Sequence, residues 1–288
     1  MNRLMFSLVF ILSLSCSHKI DSKEPKKVSS EPIWMKISPG EVRLVEFPLS
    51  EKNLKFMCKD ESIKYVTRNG RGLALVTETY FSKLEPFTCK LVSSSKTFHE
   101  IKFSVIDREY PSEQLRVDSK KIQLSKDAEA RVQREQLVLN KIYASSAHDL
   151  LFNEPFVAPL NSYITSIYGI KRLYNKRKKG QHLGTDFRAA IGVKVPAANA
   201  GKIVFAGDLF YTGYTVIIDH GMDIFTVYGH LSQNLVKAGD VVKRGQIIAL
   251  SGNTGRSSGP HLHWGVKIQG QYIDGFNLIA ETEKYLKK

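Results

Sequence analysis

His261-Leu-His-Trp-Gly-Val-Lys-Ile268 is the stretch that decides the fold of the C-terminal half of the chain. Apolar and polar residues alternate over its first half, which predicts a β-strand whose side chains point to opposite faces in turn. His261 and His263 lie two positions apart and therefore project from the same face of that strand. A pair of imidazoles at this spacing indicates a metal site or, as the alternative, ordinary histidines within a core.

The sequence around this stretch predicts further short strands. Apolar runs alternate with glycine turns at residues 202–206, 215–218, 224–228 and 246–250. Short strands at close spacing with turn signals are typical of an antiparallel β-sandwich or a barrel-like fold. Residues 252–259 are rich in glycine and serine, and we expect this loop to form a wall of a groove above the site.

A second motif, His182-Leu-Gly-Thr-Asp186, places an imidazole and a carboxylate four residues apart around a glycine. A kinked loop at Gly184 would let both side chains reach one ion. Two histidines and one aspartate make three protein ligands and leave the fourth tetrahedral position for water, which is typical of a catalytic zinc site. A site of four thiolates is excluded, because the chain has three cysteines and none lies in this region. Spacing alone does not decide between His261 and His263 as the ligand.

From about residue 159 to 278 the chain resembles the lysostaphin-type (LytM-like) zinc endopeptidases, which cleave peptide cross-bridges in peptidoglycan. The resemblance implies an antiparallel β peptidase domain of the duplicated-hybrid-motif type and one Zn²⁺ per chain. By the same resemblance His182, Asp186 and His263 are the zinc ligands, and His230 and His261 are the catalytic pair. One departure is that Asp274 is followed by Gly275, where the family usually has a proline. The motifs that carry the resemblance are residues 164–169, 182–187, 195–197, 213–221, 228–232, 239–246, 252–255 and 259–264.

The expected chemistry needs a proton acceptor other than glutamate, because the chain contains no HExxH motif. A neutral imidazole suits this task near neutral pH. We expect His261 to be the general base and His230 to orient water or stabilise the oxyanion, although the two roles could be exchanged. The alternative function is that of a catalytically silent relative, which binds the cell wall and activates a separate hydrolase. Such relatives have lost site residues, whereas this chain keeps all five.

The N-terminus predicts export. Residues 1–16 combine a positive charge at Arg3 with an apolar run over residues 4–14, which is too short for a membrane span. Cys16 follows a small residue as in bacterial lipoprotein signals, so we expect lipid attachment there, with simple secretion as the alternative. Residues 17–30 are polar and indicate a flexible tether. We expect the protein to be located in the periplasm or cell envelope, attached to the membrane through lipidated Cys16 or else secreted.

The remaining chain divides into three predicted parts. Residues 31–108 show alternating segments typical of half-buried strands and predict a small β-sandwich, whose role would be a spacer, a wall-binding surface or an inhibitory cap. Residues 109–155 form a linker with a helix at 125–146, capped by Ser125. Residues 156–288 form the zinc endopeptidase domain. Cys58 and Cys89 are an even pair in an exported chain, and the alternatives are a disulfide or two buried thiols.

The chain is strongly basic and has four histidines besides those assigned to the site. The net charge is +14, and six of the ten residues from 171 to 180 are Lys or Arg. We expect this basic run to lie beside the cleft and to attract the carboxylates of peptidoglycan peptides, not nucleic acid, or else to be a solvated loop. His220, in an Asp-His-Gly turn, is expected to serve the turn and not the metal. His18, His99 and His148 have no expected role, and the sequence does not indicate an oligomeric state.

Overall fold

β20 (His261–Ile268) is observed as predicted and lies inside the largest sheet of the molecule. The structure is a computed structural model, and it describes residues 33–51, 53–94, 96–115, 124–175 and 178–286. The predicted signal segment and the tether, including Cys16 and His18, lie outside these described residues. These described residues belong to one compact unit.

The fold is mainly β, as the sequence predicts, and has few helices. The helices in the described residues are α1 (Lys126–Tyr143) and α2 (Gly275–Leu286). The strands before α1 are β1 (Ile33–Ile37), β2 (Val42–Pro48), β3 (Lys55–Cys58), β4 (Glu61–Ile63), β5 (Tyr65–Arg68), β6 (Arg71–Thr77), β7 (Phe87–Ser93), β8 (Lys96–Val105) and β9 (Ser112–Leu115). The strands after α1 are β10 (Ile164–Ser166), β11 (Lys171–Tyr174), β12 (Lys178–Gln181), β13 (Thr185–Arg188), β14 (Lys194–Pro196), β15 (Gly201–Leu209), β16 (Gly213–Asp219), β17 (Ile224–Asn234), β18 (Val241–Val242), β19 (Ile247–Ser251), β20 and β21 (Gln271–Ile273).

The C-terminal sheet follows the order β10-β13-β20-β17-β16-β15-β18, with β14, β19 and β21 attached to it. Its strand pairs are antiparallel, as expected for strands joined by short turns. One face packs on a core that includes Phe187, Tyr228 and Trp264, all buried. The alternation in β20 holds, because Leu262 and Trp264 enter this core while His261 and His263 stay half-buried on the other face.

The N-terminal strands form two sheets, with the orders β1-β8-β7-β3-β4 and β2-β6-β5. Their facing side chains share a core in which Phe47 stacks on Phe56 at a ring-centroid distance of 4.6 Å. Cys58 and Cys89 are direct partners across β3 and β7, and they form a disulfide. Of the two alternatives left by the sequence, the structure therefore has the disulfide.

The two sheet-bearing parts of the chain are docked through a common core. Leu44 and Leu75 of the N-terminal sheets belong to the same apolar cluster as the C-terminal core residues. Helix α2 hydrogen-bonds to the free edge of β2. The Asn277 side chain accepts a bond of 2.7 Å from the Val42 N–H, and the Glu281 carboxylate accepts one of 3.0 Å from the Leu44 N–H. Side chains four apart on a helix thus match N–H groups two apart on a strand. This contact covers an edge that would otherwise be open to pairing.

Helix α1 begins at the predicted cap, where the Ser125 hydroxyl accepts a bond from the Ala128 N–H. It ends at Tyr143, three residues before the predicted end, because Ser146 turns away to bond the Asp219 carboxylate at 2.6 Å. Leu139 and Tyr143 pack on the outer face of the C-terminal sheet. In the described part of the chain, neither helix has both the length and the apolar character to cross a membrane.

The predicted linker contains one feature that its sequence did not indicate. β9 pairs in parallel with β11, and β12 adds an antiparallel partner on the other side of β11. The basic run from residue 171 to 180 is therefore mostly a hairpin, although Lys176 and Arg177 lie outside the described residues. The strand β9 escaped prediction because four residues paired to a distant strand carry too short a pattern to be read.

Candidate metal centre

Three neighbouring strands bring the predicted site residues together. Asp186 in β13 pairs directly with His263 in β20, and His263 pairs on its other side with Gly229 in β17. His230 follows Gly229, and His182 lies in the short connection between β12 and β13. Antiparallel register thus collects residues from distant parts of the sequence at one position across the sheet.

His182, Asp186 and His263 direct three ligand atoms at a common point. The Asp186 Oδ1 lies 3.1 Å from His182 Nε2 and 2.9 Å from His263 Nδ1. The two nitrogens are 3.2 Å apart. Tetrahedral zinc with bonds of about 2.0–2.1 Å separates its ligand atoms by about 3.3–3.4 Å. The observed triangle is within a few tenths of an ångström of that size, so the residues fit the ion that the sequence predicts.

The hydrogen bonds of His182 also favour a cation in the triangle. Its Nδ1 lies 3.1 Å from the Ile167 carbonyl oxygen, which can only accept, so this nitrogen carries the proton. Nε2 of the neutral ring then points a lone pair at a carboxylate oxygen of Asp186. Two acceptors face each other favourably only when a cation lies between them.

Asp186 is held in its charged form. Burial alone would raise the pKa of this carboxyl group, but the imidazoles of His182 and His263 beside it outweigh burial and lower the pKa well below its usual range. Its side chain is only 11% exposed, so these contacts act with little screening by water. A carboxylate that stays ionised can serve as a metal ligand at any ordinary pH.

His230 and His261 form a second pair beside the triangle, with ring centroids 4.6 Å apart. The His230 Nδ1 donates to the Thr254 carbonyl at 2.8 Å, and the His261 Nδ1 donates to the Gly259 carbonyl at 2.7 Å. In each ring the Nε2 is therefore the nitrogen that no protein carbonyl group engages, and that of His261 lies 3.7 Å from the Asp186 carboxylate. Burial lowers the pKa of His230 to about 4, because it outweighs the hydrogen bond to Thr254, which by itself would raise the pKa.

Backbone geometry at the site departs from regular structure at two positions. His230 has a φ of +59°, which interrupts the pairing of β17 where its side chain turns toward the other histidines. Such left-handed conformations in residues other than glycine are costly and cluster at functional sites. At Gly184 a Cβ atom would lie 2.4 Å from Cε1 of His263, so only glycine lets the two metal-binding segments approach this closely.

Several residues that support the site were not identified from the sequence. The loop predicted to wall the groove supplies the carbonyl groups of Thr254 and Gly259, which orient the two histidines. Ser166 contacts His182, and Arg172 contacts both Ser166 and Asp186. Arg172 belongs to the basic run, so its charge was noticed, but its neighbours depend on the pairing of β9 with β11. That the rest of this run binds an anionic polymer stays a prediction.

His220 lies outside the triangle and ties two strands together, in agreement with its expected turn role. Gly221 has a φ of +82° in the same turn. The buried ring donates from Nδ1 to the Ala200 carbonyl at 2.6 Å, and its Nε2 lies 2.7 Å from the Thr226 hydroxyl. Burial lowers the pKa of His220 to about 4, although the bond to Ala200 and the charge of Asp219 both raise it.

The low pKa of His220 predicts a loss of stability in acid. The unfolded chain takes up this proton near pH 6.5 and the folded chain only near pH 4, so the stabilisation is complete above 6.5 and is lost as pH falls toward 4. A gap of this size corresponds to about 3 kcal/mol. We expect urea unfolding between pH 7 and 4.5 to show a steeper decline for the wild type than for His220→Gln. Parallel declines in the two proteins would contradict the assignment.

Comparison with known proteins agrees with this geometry. Residues 180–275 match the sequence model of peptidase family M23. This segment is a peptidase family M23 domain. The M23 domain contains all five site residues and ends at Gly275, the first residue of α2. The lysostaphin-type resemblance found from the motifs is thereby confirmed.

Relatives of the M23 domain include two proteins of Vibrio cholerae. The peptidoglycan DD-endopeptidase ShyA is 43% identical over 112 residues, which are 38% of this chain and 26% of ShyA. The peptidoglycan DD-endopeptidase ShyB is 38% identical over 144 residues, which are 50% of this chain and 34% of ShyB. The chain thus spans about a third or less of these curated relatives.

A solved structure extends the likeness beyond the M23 domain. A Pseudomonas aeruginosa protein assigned to peptidase M23 superposes with a TM-score of 0.67 at 26% identity. The match covers 87% of this chain and 96% of the other. Since the M23 domain is a third of the chain, the N-terminal sheets and their arrangement share in this likeness.

Proposed function

We propose that this chain is an exported zinc metalloendopeptidase that hydrolyses peptide cross-links of bacterial peptidoglycan, as a DD-endopeptidase. The observation that carries the proposal is the triangle of His182, Asp186 and His263, with the His230 and His261 rings beside it, each held at Nδ1 by a backbone carbonyl group. The names of ShyA and ShyB support peptidoglycan as the substrate class. Zinc is the cofactor that these ligand atoms and their spacing favour.

Each residue of the site has a separate role in the proposed reaction. The triangle would hold the zinc, which when bound acts as a Lewis acid on water and on the scissile carbonyl group. His261 accepts the proton of the attacking water at Nε2, because its Nδ1 proton is engaged by Gly259. His230 accepts a hydrogen bond at Nε2 and orients that water, because its Nδ1 is engaged by Thr254. After attack, the protonated imidazole delivers its proton to the leaving amine.

The placement of the pair supports general-base chemistry over a purely structural role. Both Nε2 atoms lack a protein hydrogen-bond partner among the described residues, while both Nδ1 atoms have one. The ring of His220, by contrast, is bonded at both nitrogens. The two imidazoles are therefore oriented with one nitrogen held in reserve for a ligand or for water.

Export and membrane attachment are part of the same proposal. The apolar run before Cys16 and the lipoprotein-like residues around it support them, and the Cys58–Cys89 disulfide suits an oxidising compartment. We expect the wild-type chain to be recovered in the membrane fraction of the cell envelope. The Cys16→Ser variant should be recovered in the soluble fraction. Equal membrane association of both proteins would refute lipid attachment.

Digestion of purified sacculi tests the enzymatic proposal. The purified chain with zinc should release uncross-linked peptide stems, and a chelator should stop the release. The Asp186→Asn variant is the control, since it keeps the size of the side chain and removes the charge that holds the ion. Sacculi that stay intact with the zinc-loaded wild type would instead favour the alternative, a wall-binding activator of a separate hydrolase.

A further inference from the structure

Arg172 lies between the metal-binding triangle and the segment that precedes helix α1. Its Nη2 donates to the Ser166 hydroxyl at 2.9 Å and lies 3.9 Å from Oδ2 of Asp186. Ser166 in turn lies 3.0 Å from Nδ1 of His182. One guanidinium group therefore reaches two of the three ligands, one by charge and the other through a buried hydroxyl.

The guanidinium is itself held by Glu113. Arg172 donates from Nε to the Glu113 carboxylate at 2.7 Å, and the two residues are direct partners in the pairing of β9 with β11. The backbone supports the same contact, because the Lys171 N–H donates to the Pro111 carbonyl at 2.9 Å. Glu113 lies before α1, outside the M23 domain of residues 180–275. Its position depends on the chain that connects the N-terminal sheets to the site.

We propose that Glu113 and Arg172 are positioning residues that set the metal affinity of the M23 domain from outside its residues 180–275. This inference rests on the metal site of the proposed function. Arg172 holds Oδ2 of Asp186, so that Oδ1 stays directed at the histidine nitrogens. It also holds Ser166 against His182, which keeps that ring in the orientation where Nε2 faces the triangle.

The charge of Glu113 has a separate effect. Glu113 neutralises the Arg172 guanidinium, which lies close to the position that the metal ion would occupy. When Glu113 becomes glutamine, the guanidinium is left unbalanced, and it competes with the metal for the Asp186 carboxylate. When Arg172 becomes lysine, the charge remains, but a single ammonium cannot contact Glu113, Ser166 and Asp186 at once.

The experiment measures the zinc dissociation constant of the full chain by competition with a chelator. We expect Glu113→Gln and Arg172→Lys each to weaken zinc binding by about 10–100-fold, the range for residues that orient metal ligands. The double variant should lose little more than the single ones, because both act through one contact. Cobalt-loaded variants should show altered visible absorption bands, since these depend on the coordination geometry.

A matched ion pair elsewhere in the C-terminal part provides the control. Arg244 donates to Glu154 at 2.7 Å and to the Pro155 carbonyl at 2.9 Å, and neither residue contacts the site. The Glu154→Gln and Arg244→Lys variants should bind zinc with an affinity within twofold of the wild type. Their cobalt-loaded forms should have the same absorption bands as the cobalt-loaded wild type. Glu113→Gln preserves side-chain size, so it keeps the test intact if Arg172→Lys fails to fold.

The outcomes separate this inference from the proposed function. Zinc affinity within twofold of the wild type in both site variants would overturn the positioning role, as would an equal loss in the control pair. In either case the wild type still binds zinc and the proposed function stands. A wild type that binds no zinc would overturn both proposals.

Discussion

The His263→Ala variant is expected to lose both bound zinc and hydrolysis, whereas His261→Ala is expected to lose hydrolysis and keep the zinc. His263 Nδ1 is one of the three ligand atoms, 2.9 Å from the Asp186 carboxylate, and its removal leaves two. His261 Nε2 lies farther out, at 3.7 Å from the same carboxylate, and its Nδ1 is held by Gly259. Metal analysis of the dialysed proteins and digestion of sacculi measure the two properties separately.

The size of the loss distinguishes the roles of the two outer histidines. Removing a general base costs about 10²–10⁴-fold in rate. We expect His261→Ala to lie in this range and His230→Ala to lose less, since His230 is assigned to orienting water. The opposite order would exchange the two roles. His148→Ala, an exposed histidine outside the site, serves as the control and should change neither property.

Equal loss of zinc in His263→Ala and His261→Ala would contradict this division. It would mean that His261 is a ligand, or that either substitution collapses the strand. The second explanation is checked by thermal unfolding of the metal-free variants. Both side chains lie half-buried on the open face of β20, so neither substitution should remove core packing.

Removal of the Cys58–Cys89 disulfide is expected to cost the chain about 4 kcal/mol of unfolding free energy. The bond closes a loop with a sequence separation of 31 residues, and the chain-entropy relation converts that length into this value. Both sulfurs lie in the core of the N-terminal sheets, where Cys89 is fully buried. The double variant Cys58→Ala/Cys89→Ala should show the loss in urea unfolding, as should the wild type under reducing conditions.

The disulfide prediction also tests how the two parts of the molecule depend on each other. Zinc binding at neutral pH should be unchanged in the double variant, because the disulfide lies in the N-terminal sheets and the site lies in the M23 domain. Unfolding free energies within 1 kcal/mol of each other in oxidised and reduced protein would contradict the entropic account. A loss of zinc in the folded double variant would show that the N-terminal core supports the site.

Local pattern was enough to predict the strand β20, whereas the full set of five site residues came from the family resemblance. Period-two alternation places His261 and His263 on one face whatever the rest of the chain does. A kink at Gly184 was predicted to bring His182 and Asp186 to one ion, but the close approach of His263 to Gly184 was not predicted. The start of α1 was likewise predicted, because an N-cap serine and first-turn carboxylates act within a few residues.

Features that depend on contacts between residues far apart in the chain could not be predicted from the sequence. The early end of α1 follows from the contact of Ser146 with Asp219, which lies 73 residues away. The strand β9 exists only because β11 is next to it. The docking of α2 on the edge of β2 joins residues more than 230 positions apart and turns the predicted separate domains into one compact unit.

The amino-acid order by itself determined the kind of chemistry, since residue type and short spacing specify which ligands and bases are present. Tertiary structure alone decided which ring nitrogen of each histidine faces the site. That choice depends on hydrogen bonds that the Nδ1 atoms of His182, His230 and His261 donate to the carbonyl groups of Ile167, Thr254 and Gly259. These bonds form only after the sheet has closed, because a carbonyl group selects a tautomer only when folding brings it within bonding distance.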